Sequence, residues 1–475
     1  MELDKDLLAR QEARDLAEAA GNAQHILADF SQQQLDAIVE AVAKAFAKEA
    51  SVLAQMAVEE TGFGNVEDKI TKNLFASRTV AEAVRDMKTV GILREEKNSN
   101  LWEIGVPVGP IAAIVPSTNP TSTVCYKTLI ALKAGNPIVF SPHPKAIVCT
   151  RKAARIVAEA AEKAGAPKGS VSCLSIPSLT GCQELMGAKE IRLILATGGP
   201  AMVKAAYSSG KPAIGVGAGN GPAYIHHSAD VAQALKCILK SKTFDNGTVC
   251  ASEQSIIAEK NMEQKIAEEG KTLGFYFMCE EEAGKLGKLL FRPNGTLNPE
   301  VVGKTAQHLA RMAGFSVPGG TKILVAKEQE AGLSRPYSME KLCPVLAFYV
   351  MDGEEAVLKK CMEILDHEGS GHTFAMHCAE EAVIRRFAAK IPVSRFLVNT
   401  PAALGGIGAS TPLFPALTLG CGAVGGSSSS NNISPMDLIN IRRVAWGTEE
   451  SKQPQATVDH TLVELLTQKI MERLG

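Results

Sequence analysis

The sequence predicts an α/β protein in which a parallel, doubly wound sheet is followed by a second α/β unit. From Leu101 onward, short apolar runs bounded by Gly and Pro alternate with Ala-rich helical stretches, as in layered α/β proteins. The chain also has 41 Gly and only 5% aromatic residues, which favours tight turns and close backbone packing. Its 475 residues are enough for two large domains.

Residues 4–87 are predicted to form helices, because Ala, Glu, Gln, Leu and Lys dominate there and apolar side chains recur at i, i+3 and i+4. No chemical role is predicted for this part of the chain. Five strands are then predicted at residues 111–115, 138–140, 171–176, 191–195 and 213–216, with helices between them. Right-handed crossovers would make this sheet parallel, and its ligands would bind at the carboxyl ends of the strands.

A second α/β unit is predicted from about residue 222 to residue 420. Its predicted strands are residues 255–258, 322–326, 345–350 and 395–399, and its predicted helices lie near 231–240 and 380–389. Residues 420–432 (GCGAVGGSSSSNN) fit either a linker or an ordered glycine-rich loop.

Composition and charge exclude several classes of protein. Hydrophobic residues make up 45% of the chain and the formal net charge is -1, so neither a disordered protein nor a nucleic-acid-binding protein is predicted. Eleven Cys without a Cys-x-x-Cys pair indicate reduced thiols and predict no metal site. A charged N-terminal segment and the lack of an 18-residue apolar run predict no signal peptide and no membrane partner, hence a cytoplasmic location.

Two glycine-containing segments are candidates for ligand binding. Residues 215–221 (GVGAGNG) contain Gly217 but do not open a helix after the first strand, so a structural role for these glycines has equal weight. Thr197, Gly198 and Gly199 lie between a predicted strand and a predicted helix, whose free amides could face phosphate or ribose oxygens. An ordinary helix cap is the alternative.

Cys250 is the strongest candidate nucleophile among the eleven Cys. It lies in a turn of small residues (DNGTVCASE) before a β-branched strand, where a thiol would be approachable. Cys421, between two glycines, is the second candidate. His372 lies in a predicted flexible turn (GSGHT), where either a polar role or an ordinary surface loop fits.

Five segments resemble motifs of the aldehyde dehydrogenase superfamily, in the same order along the chain. They are residues 116–120 (PSTNP), 196–199 (ATGG), the Cys250 turn, 340–345 (EKLCPV) and 419–426 (LGCGAVGG). The chain is most similar to the CoA-acylating branch, which includes acetaldehyde and propionaldehyde dehydrogenases and the aldehyde-oxidising half of bifunctional alcohol/aldehyde enzymes. The resemblance covers residues 1–447 and implies a Rossmann-like dinucleotide-binding domain plus an α/β catalytic domain.

The resemblance implies a domain division and a set of site residues. Residues 1–97 and 109–221 would bind the dinucleotide, residues 222–432 would form the catalytic domain, and residues 98–108 and 433–447 would join subunits. Cys250 would attack the aldehyde as an accessible thiolate, and Asn119 with the Cys250 amide would stabilise the oxyanion. Glu340 would hold the nicotinamide ribose. The remaining cofactor-binding residues would be Pro116, Ser117, Thr118, His143, Pro144, Thr197, Gly198, Gly199, Gly217 and Leu342.

Departures from the hydrolytic members refine the expected reaction. Those enzymes carry a water-activating glutamate in the segment that corresponds to residues 215–221, and this chain has no carboxylate there. A CoA thiol would therefore release the acyl group, with His372 helping to deprotonate it or ordering the site. The segment SPHPK at 141–145 also lacks the ribose-binding acid of those relatives, so NAD is expected but NADP is not excluded.

The resemblance also implies partners. A homodimer or homotetramer is expected. Residues 448–475 contain a polar spacer followed by apolar residues at helical spacing, which are Val458, Leu462, Leu465, Leu466, Ile470 and Leu474. This helix would either pack on its own domain or recruit the protein to a bacterial microcompartment shell, and an alcohol dehydrogenase is a further expected partner.

The sequence therefore predicts reversible, NAD(P)-dependent conversion of a short aldehyde and CoA to acyl-CoA. Three alternatives stay open at this point: a hydrolytic aldehyde dehydrogenase, a non-catalytic scaffold with the same fold, and a phosphate-dependent reductase. The retained Cys250 and Asn119 disfavour the scaffold. The missing carboxylate disfavours hydrolysis, and no anion-binding cluster supports the reductase.

Overall fold

The structure is a computed structural model that describes residues 4–96, 100–447 and 460–475. Within these ranges the chain forms three β-sheets, and helices pack against two of them. The α/β class predicted from the sequence is confirmed. None of the described helices combines the length and apolar character that crossing a membrane requires.

The strands of the described ranges are numbered here in chain order. They are β1 (Gly91–Glu96), β2 (Leu101–Pro107), β3 (Ile111–Ile114), β4 (Ile138–Ser141), β5 (Val171–Cys173), β6 (Leu193–Thr197), β7 (Ala213–Val216), β8 (Gly221–Ile225), β9 (Glu253–Glu259), β10 (Phe275–Phe277), β11 (Ile323–Glu328), β12 (Val345–Met351), β13 (Gly371–His377), β14 (Val393–Val398) and β15 (Ile439–Ala445).

The α-helices of the described ranges are also numbered in chain order. They are α1 (Lys5–Leu27), α2 (Gln32–Lys48), α3 (Ala50–Thr61), α4 (Val66–Leu74), α5 (Val80–Val84), α6 (Pro120–Lys133), α7 (Ile147–Lys163), α8 (Leu179–Gly187), α9 (Pro200–Tyr207), α10 (Val231–Thr243), α11 (Glu263–Leu273), α12 (Glu280–Leu290), α13 (Ala306–Met312), α14 (Glu354–His367), α15 (Glu381–Ala388), α16 (Ala402–Gly406) and α17 (His460–Leu474).

The first sheet has five parallel strands in the order β5-β4-β3-β6-β7. Its central strands are short apolar runs that are buried along their whole length, because helices cover both faces. The chain winds outward from β3 through β4 and β5, then returns to β6 on the other side. This reversal opens a crevice at the carboxyl ends of β3 and β6, where doubly wound sheets bind their ligands.

The second sheet has seven parallel strands in the order β10-β11-β12-β9-β8-β13-β14. The four strands predicted for this unit are present, and β8, β10 and β13 are additional. These three lack a strong apolar signal, because β8 begins with Gly-Pro, β10 has only three residues, and β13 begins with Gly-His and ends with His. A four-residue segment, residues 217–220, connects the carboxyl end of β7 directly to the amino end of β8.

A third sheet is antiparallel and combines β1, β2 and β15. The rings of Trp102 and Trp446 pack edge to face there, with centroids 4.9 Å apart. Residues 420–432 form an ordered loop rather than a linker, since Gly420 and Gly422 donate backbone hydrogen bonds to Asn431 and Ser429.

The C-terminal helix α17 exposes its apolar side chains. Those of Leu462, Leu465, Leu466 and Ile470 are 53–60% exposed and that of Leu474 is 80% exposed. The alternative in which this helix packs on its own domain is therefore not what the structure shows. Val458 and the polar spacer before it lie outside the described residues.

Candidate active site

The site lies where the carboxyl edge of the five-stranded sheet meets the amino edge of the seven-stranded sheet. Asn119 follows β3 at the start of α6, and Cys250 lies in the turn that precedes β9. The Asn119 side chain does not cap α6; its Nδ2 donates a hydrogen bond to the carbonyl oxygen of Thr248 at 3.2 Å. Two residues that are far apart in the sequence are thus brought to one place.

Residues 217–220 pass directly beneath the Cys250 turn. A Cβ atom on Gly219 would lie 1.9 Å from the carbonyl oxygen of Cys250, so only glycine fits at this position. By contrast, a Cβ on Gly217 would meet nothing within 4 Å. At least one glycine of residues 215–221 therefore has a packing role. The sequence analysis gave such a structural role the same weight as ligand binding.

Glu340 reaches the same segment from the second unit. Its Oε1 accepts a hydrogen bond from the Gly219 N–H at 3.0 Å, and its own backbone N–H donates to Glu368 Oε2 at 2.6 Å. Burial, with a further contribution from Glu368, raises the pKa of Glu340 to about 8. The glycine run itself lacks a carboxylate, but the fold brings Glu340 to it; the resemblance implied a ribose contact for Glu340, and its contact with Gly219 is visible only in the structure.

The Cys250 thiol is half-buried. Burial, and then the nearby Glu340 carboxyl, raise the pKa of Cys250 to about 12, although the buried Arg395 guanidinium opposes the shift. A thiolate is therefore less accessible near neutral pH than the sequence predicts. Attack on a carbonyl needs the thiol proton to be removed.

His372 is buried in β13 and does not lie in the flexible turn that the sequence suggested. Its Nδ1 lies 2.9 Å from Thr373 Oγ1, and no group among the described residues is within hydrogen-bond distance of its Nε2. Burial and Arg395 lower the pKa of His372 to about 3. The imidazole is neutral at physiological pH, and it is a weak base.

The segments predicted to bind the dinucleotide follow neighbouring strands. Pro116, Ser117 and Thr118 come directly after β3, and Thr197 to Gly199 end β6 and precede α9. Since β3 pairs with β6, both segments border the crevice described above. A Cβ on Gly199 would meet nothing within 4 Å, and no side chain caps α9. Open space at the start of a helix that has no side-chain cap fits a pyrophosphate.

Three further predicted cofactor residues come from other segments. His143 and Pro144 follow β4, which pairs with β3, so they lie at the same edge of the sheet as Pro116 to Thr118, and both are exposed. The His143 Nδ1 accepts a hydrogen bond from the Lys145 N–H at 3.1 Å. Leu342 belongs to the second unit; it has φ +45°, and its carbonyl accepts a hydrogen bond from the Gly303 N–H at 2.9 Å.

A cavity of about 480 Å³ opens beside the glycine run. Gly217, Ala218, Tyr207, Ser370 and Cys421 are among its lining residues. Cys421, the second candidate nucleophile, is buried, and burial raises the pKa of its thiol. The more exposed Cys250 is therefore the better candidate.

A buried ion cluster, which we call the Asp245 cluster, was missed by the sequence analysis. It consists of Lys69, Lys72, Asp245 and Thr248, and each of these side chains is at most 4% exposed. Lys72 Nζ also donates to Asn119 Oδ1 at 2.6 Å. The sequence carried no signal for it, because lysines on a short helix are normally solvated, whereas in the structure the buried residues of α4 are Lys69, Lys72 and Asn73 instead of its apolar ones.

A second polar group lies at the opposite end of β8. His226, His227 and Glu380 have potential metal-ligand atoms within 4.8 Å of one another. Each already has a protein partner: His226 lies near Ser228 and Glu354, and His227 lies between Glu259 and Glu380. Hydrogen bonds and ion pairs account for this group, and we assign no metal to it.

Comparison with known proteins places this site in a family. Residues 6–273 match the aldehyde dehydrogenase family. The chain is 45% identical over 443 residues to the bifunctional aldehyde-alcohol dehydrogenase AdhE of Escherichia coli K12, which covers 92% of this chain but only 50% of AdhE. The chain thus spans about half the length of the bifunctional relatives it matches.

Solved structures agree with this match. An acetylating aldehyde dehydrogenase from Geobacillus thermoglucosidasius is 51% identical with a TM-score of 0.93, covering 94% of this chain and 99% of that one. A propionaldehyde dehydrogenase from the fucose utilisation microcompartment of Clostridium phytofermentans is 30% identical with a TM-score of 0.82, covering 90% and 96%. The chain belongs to the aldehyde dehydrogenase family.

Proposed function

We propose that the protein is a CoA-acylating aldehyde dehydrogenase that converts a short aldehyde, CoA and NAD reversibly to acyl-CoA and NADH. The observation that carries the proposal is the approach of the Asn119 amide to the Cys250 turn, beside a crevice that fits a dinucleotide. Similarity to an acetylating aldehyde dehydrogenase supports the choice of CoA as acyl acceptor.

Cys250 forms the bond to substrate. Its sulfur adds to the aldehyde carbon, and the carbonyl oxygen becomes an alkoxide that the Asn119 Nδ2 and the Cys250 backbone N–H stabilise. The bound nicotinamide supplies a hydride acceptor, so the aldehyde carbon is oxidised to a thioester. A CoA thiolate then adds to the thioester carbon, and the Cys250 thiolate leaves.

Glu340 is a better proton acceptor for these steps than His372. A general base works best when its pKa lies near the working pH, and the pKa of Glu340 is about 8 whereas that of His372 is about 3. We therefore assign proton uptake to Glu340, in addition to its expected contact with the nicotinamide ribose. His372 keeps a role in ordering β13 beside the site.

The remaining cofactor residues follow the same proposal. Thr197, Gly198 and Gly199 hold the pyrophosphate at the start of α9, with Pro116, Ser117 and Thr118 on the other side of the crevice. Gly217 and Leu342 border the nicotinamide end. His143 and Pro144 are exposed where the adenosine ribose would bind, and no carboxylate follows β4 in this segment, so NAD is proposed first and NADP second.

The test measures NADH absorbance with purified protein, acetaldehyde and NAD, with and without CoA. We expect turnover only when CoA is present, and acyl-CoA as the product. Catalytic accumulation of NADH without CoA would show that water is the acceptor, which would favour the hydrolytic alternative and contradict the proposal. Parallel assays with NADP establish the cofactor preference.

Assembly is the second part of the proposal. Ile441 and Trp446 on and beside β15 are 41% and 47% exposed, and we propose that the antiparallel sheet joins subunits into a dimer or tetramer. The chain matches only about half of AdhE, which is a bifunctional aldehyde-alcohol dehydrogenase. We therefore propose a separate alcohol dehydrogenase as the metabolic partner of this protein.

We further propose that α17 docks on a protein partner, with a microcompartment shell as the first candidate. Its apolar side chains are exposed, and a relative of 30% identity comes from such a compartment. Deleting residues 449–475 should leave CoA-dependent activity within about twofold and abolish co-sedimentation with shell proteins, because the helix does not contribute to the site. Unfolding of the truncated protein, or unchanged co-sedimentation, would contradict this role.

A further inference from the structure

Two lysines of α4, Lys69 and Lys72, share one buried carboxylate. Lys69 Nζ lies 2.9 Å and Lys72 Nζ 2.5 Å from Asp245 Oδ2. The Asp245 carboxylate is fully buried and also accepts hydrogen bonds from the Asn65 backbone and from Thr248. A carboxylate buried in this way fixes the position of both ammonium groups.

The two lysines differ in what else they contact. Lys72 Nζ donates to Asn119 Oδ1 at 2.6 Å and to Thr248 Oγ1 at 3.1 Å. Lys69 Nζ donates instead to the backbone carbonyl of Thr118 at 2.9 Å. Lys72 therefore contacts the proposed oxyanion donor through its side chain, and Lys69 does not.

The contact of Lys72 decides which way the Asn119 amide faces. An ammonium group has only donors, so it must meet the oxygen of the amide and not the NH₂. The Nδ2 then donates to the Thr248 carbonyl in the turn that carries Cys250 and to Thr118 Oγ1, each at 3.2 Å, and an oxyanion on Cys250 would take the place of one of these two acceptors. If the amide were reversed, its NH₂ would oppose the ammonium and its oxygen would face the developing alkoxide, which is repulsive on both sides.

The same cluster holds the backbone of the Cys250 turn. Asp245, Asn246 and Gly247 are consecutive residues with positive φ angles of 48°, 52° and 78°, a conformation that costs free energy for non-glycine residues. The Asp245 side chain is tied to α4 by both lysines, and its backbone N–H donates to Asp68 at 2.7 Å. The orientation of Asn119 and the position of Cys250 thus depend on one ion cluster.

We propose that Lys72, held by Asp245, is a positioning residue that orients the Asn119 amide so that its NH₂ points at the oxyanion formed on Cys250. The inference rests on the part of the proposed function in which Cys250 is the nucleophile and Asn119 the oxyanion donor. It does not depend on the identity of the nicotinamide cofactor or of the acyl acceptor.

The test uses p-nitrophenyl acetate, which acylates a nucleophilic thiol through an oxyanion without cofactor or CoA. The rate of the p-nitrophenol burst is compared in wild type, Lys72→Met, Lys133→Met, Asn119→Ala and the Lys72→Met/Asn119→Ala double variant. We expect Asn119→Ala to slow the burst about 100-fold and Lys72→Met about 10- to 100-fold. Lys133→Met is the matched control, because Lys133 is a buried lysine that pairs with Asp36 away from the Asp245 cluster, and we expect a loss of less than about threefold.

The double variant and an alkylation assay separate positioning from general damage. If Lys72 acts through Asn119, adding Lys72→Met to Asn119→Ala should cost less than about threefold more. Alkylation of Cys250 by iodoacetamide forms no oxyanion, so its rate should be nearly unchanged in Lys72→Met. If Lys72→Met does not fold, Lys72→Gln keeps a neutral amide there and should show the same selective loss of acylation.

Several outcomes would overturn the inference. These are additive effects of Lys72→Met and Asn119→Ala, equal losses in Lys72→Met and Lys133→Met, or alkylation that falls together with acylation. A wild-type protein without a Cys250-dependent burst would also overturn it. If the bursts behave as expected but NADH formation does not require CoA, the proposed function fails while the role of Lys72 stands.

Discussion

Replacing Cys250 with alanine should abolish CoA-dependent NADH formation, with a loss of at least about 10⁴-fold in kcat. The reason is that Cys250 is the proposed nucleophile, which forms the covalent thioester on which both hydride transfer and acyl transfer depend. The fold should be retained, because the side chain is half-buried and the substitution removes one sulfur atom. NADH absorbance checks the loss of activity, and the melting temperature of the variant checks that the fold is retained.

Two other cysteines provide the controls for this experiment. Cys279 is exposed and lies at the start of α12, so Cys279→Ala should keep wild-type activity while removing the most accessible thiol. Cys421→Ala tests the second candidate nucleophile directly. If Cys421→Ala were inactive and Cys250→Ala active, the assignment of the nucleophile would be reversed.

Replacing Asp245 with asparagine should lower the free energy of unfolding by about 3–5 kcal/mol, the usual cost of leaving a buried charge without its partner. Burial alone would raise the pKa of Asp245, but Lys72 and Lys69 outweigh it and hold the pKa below its usual value. The carboxylate is therefore charged at neutral pH, and its loss leaves two buried ammonium groups uncompensated. Denaturant unfolding at pH 7 measures the effect.

The free energy of unfolding of the Asp245→Asn variant should increase as the pH rises. Burial lowers the pKa of Lys72 to about 8, and the Asp245 charge limits that shift, so the pKa should fall further in Asp245→Asn. The unfolded chain then binds more protons than the native state up to about pH 10.4, and stability must rise with pH. Between pH 6.5 and 8, we expect the difference in stability between the wild type and the variant to shrink as the pH rises.

A second ion pair serves as the comparison for Asp245. Lys133 is buried, but its partner Asp36 is 39% exposed and Lys133 also donates to the Arg85 carbonyl. Asp36→Asn should therefore cost much less, because water and the carbonyl still solvate the ammonium. Equal losses in the two variants, or an Asp245→Asn variant whose stability falls with rising pH, would contradict the role given to the Asp245 cluster.

The sheets were predictable from the sequence where the strands are continuous apolar runs. The strands β3, β4, β6 and β7 and the helices between them lie close to their predicted positions. The strands β8 and β13 were missed, because glycine, proline and histidine weaken the apolar signal at their ends. Their pairing depends on neighbours far along the chain, which local patterns do not report.

The site was only partly predictable, for a related reason. Cys250 and Asn119 were found because the residues around them form recognisable segments. Lys69 and Lys72 were not, since lysines on a short helix are normally solvated and only the tertiary fold shows that they face Asp245. The upward shift of the Cys250 pKa was not predicted, because the degree of burial of a turn cannot be read from its sequence.

The placement of the site between two sheets has a consequence for how the protein acquires activity. The proposed nucleophile Cys250 precedes β9 of the seven-stranded sheet, and the proposed oxyanion donor Asn119 follows β3 of the five-stranded sheet. In this proposal, catalytic competence depends on how the two sheets pack against each other. A measurement of activity would therefore also report whether the five-stranded and seven-stranded sheets are packed correctly against each other.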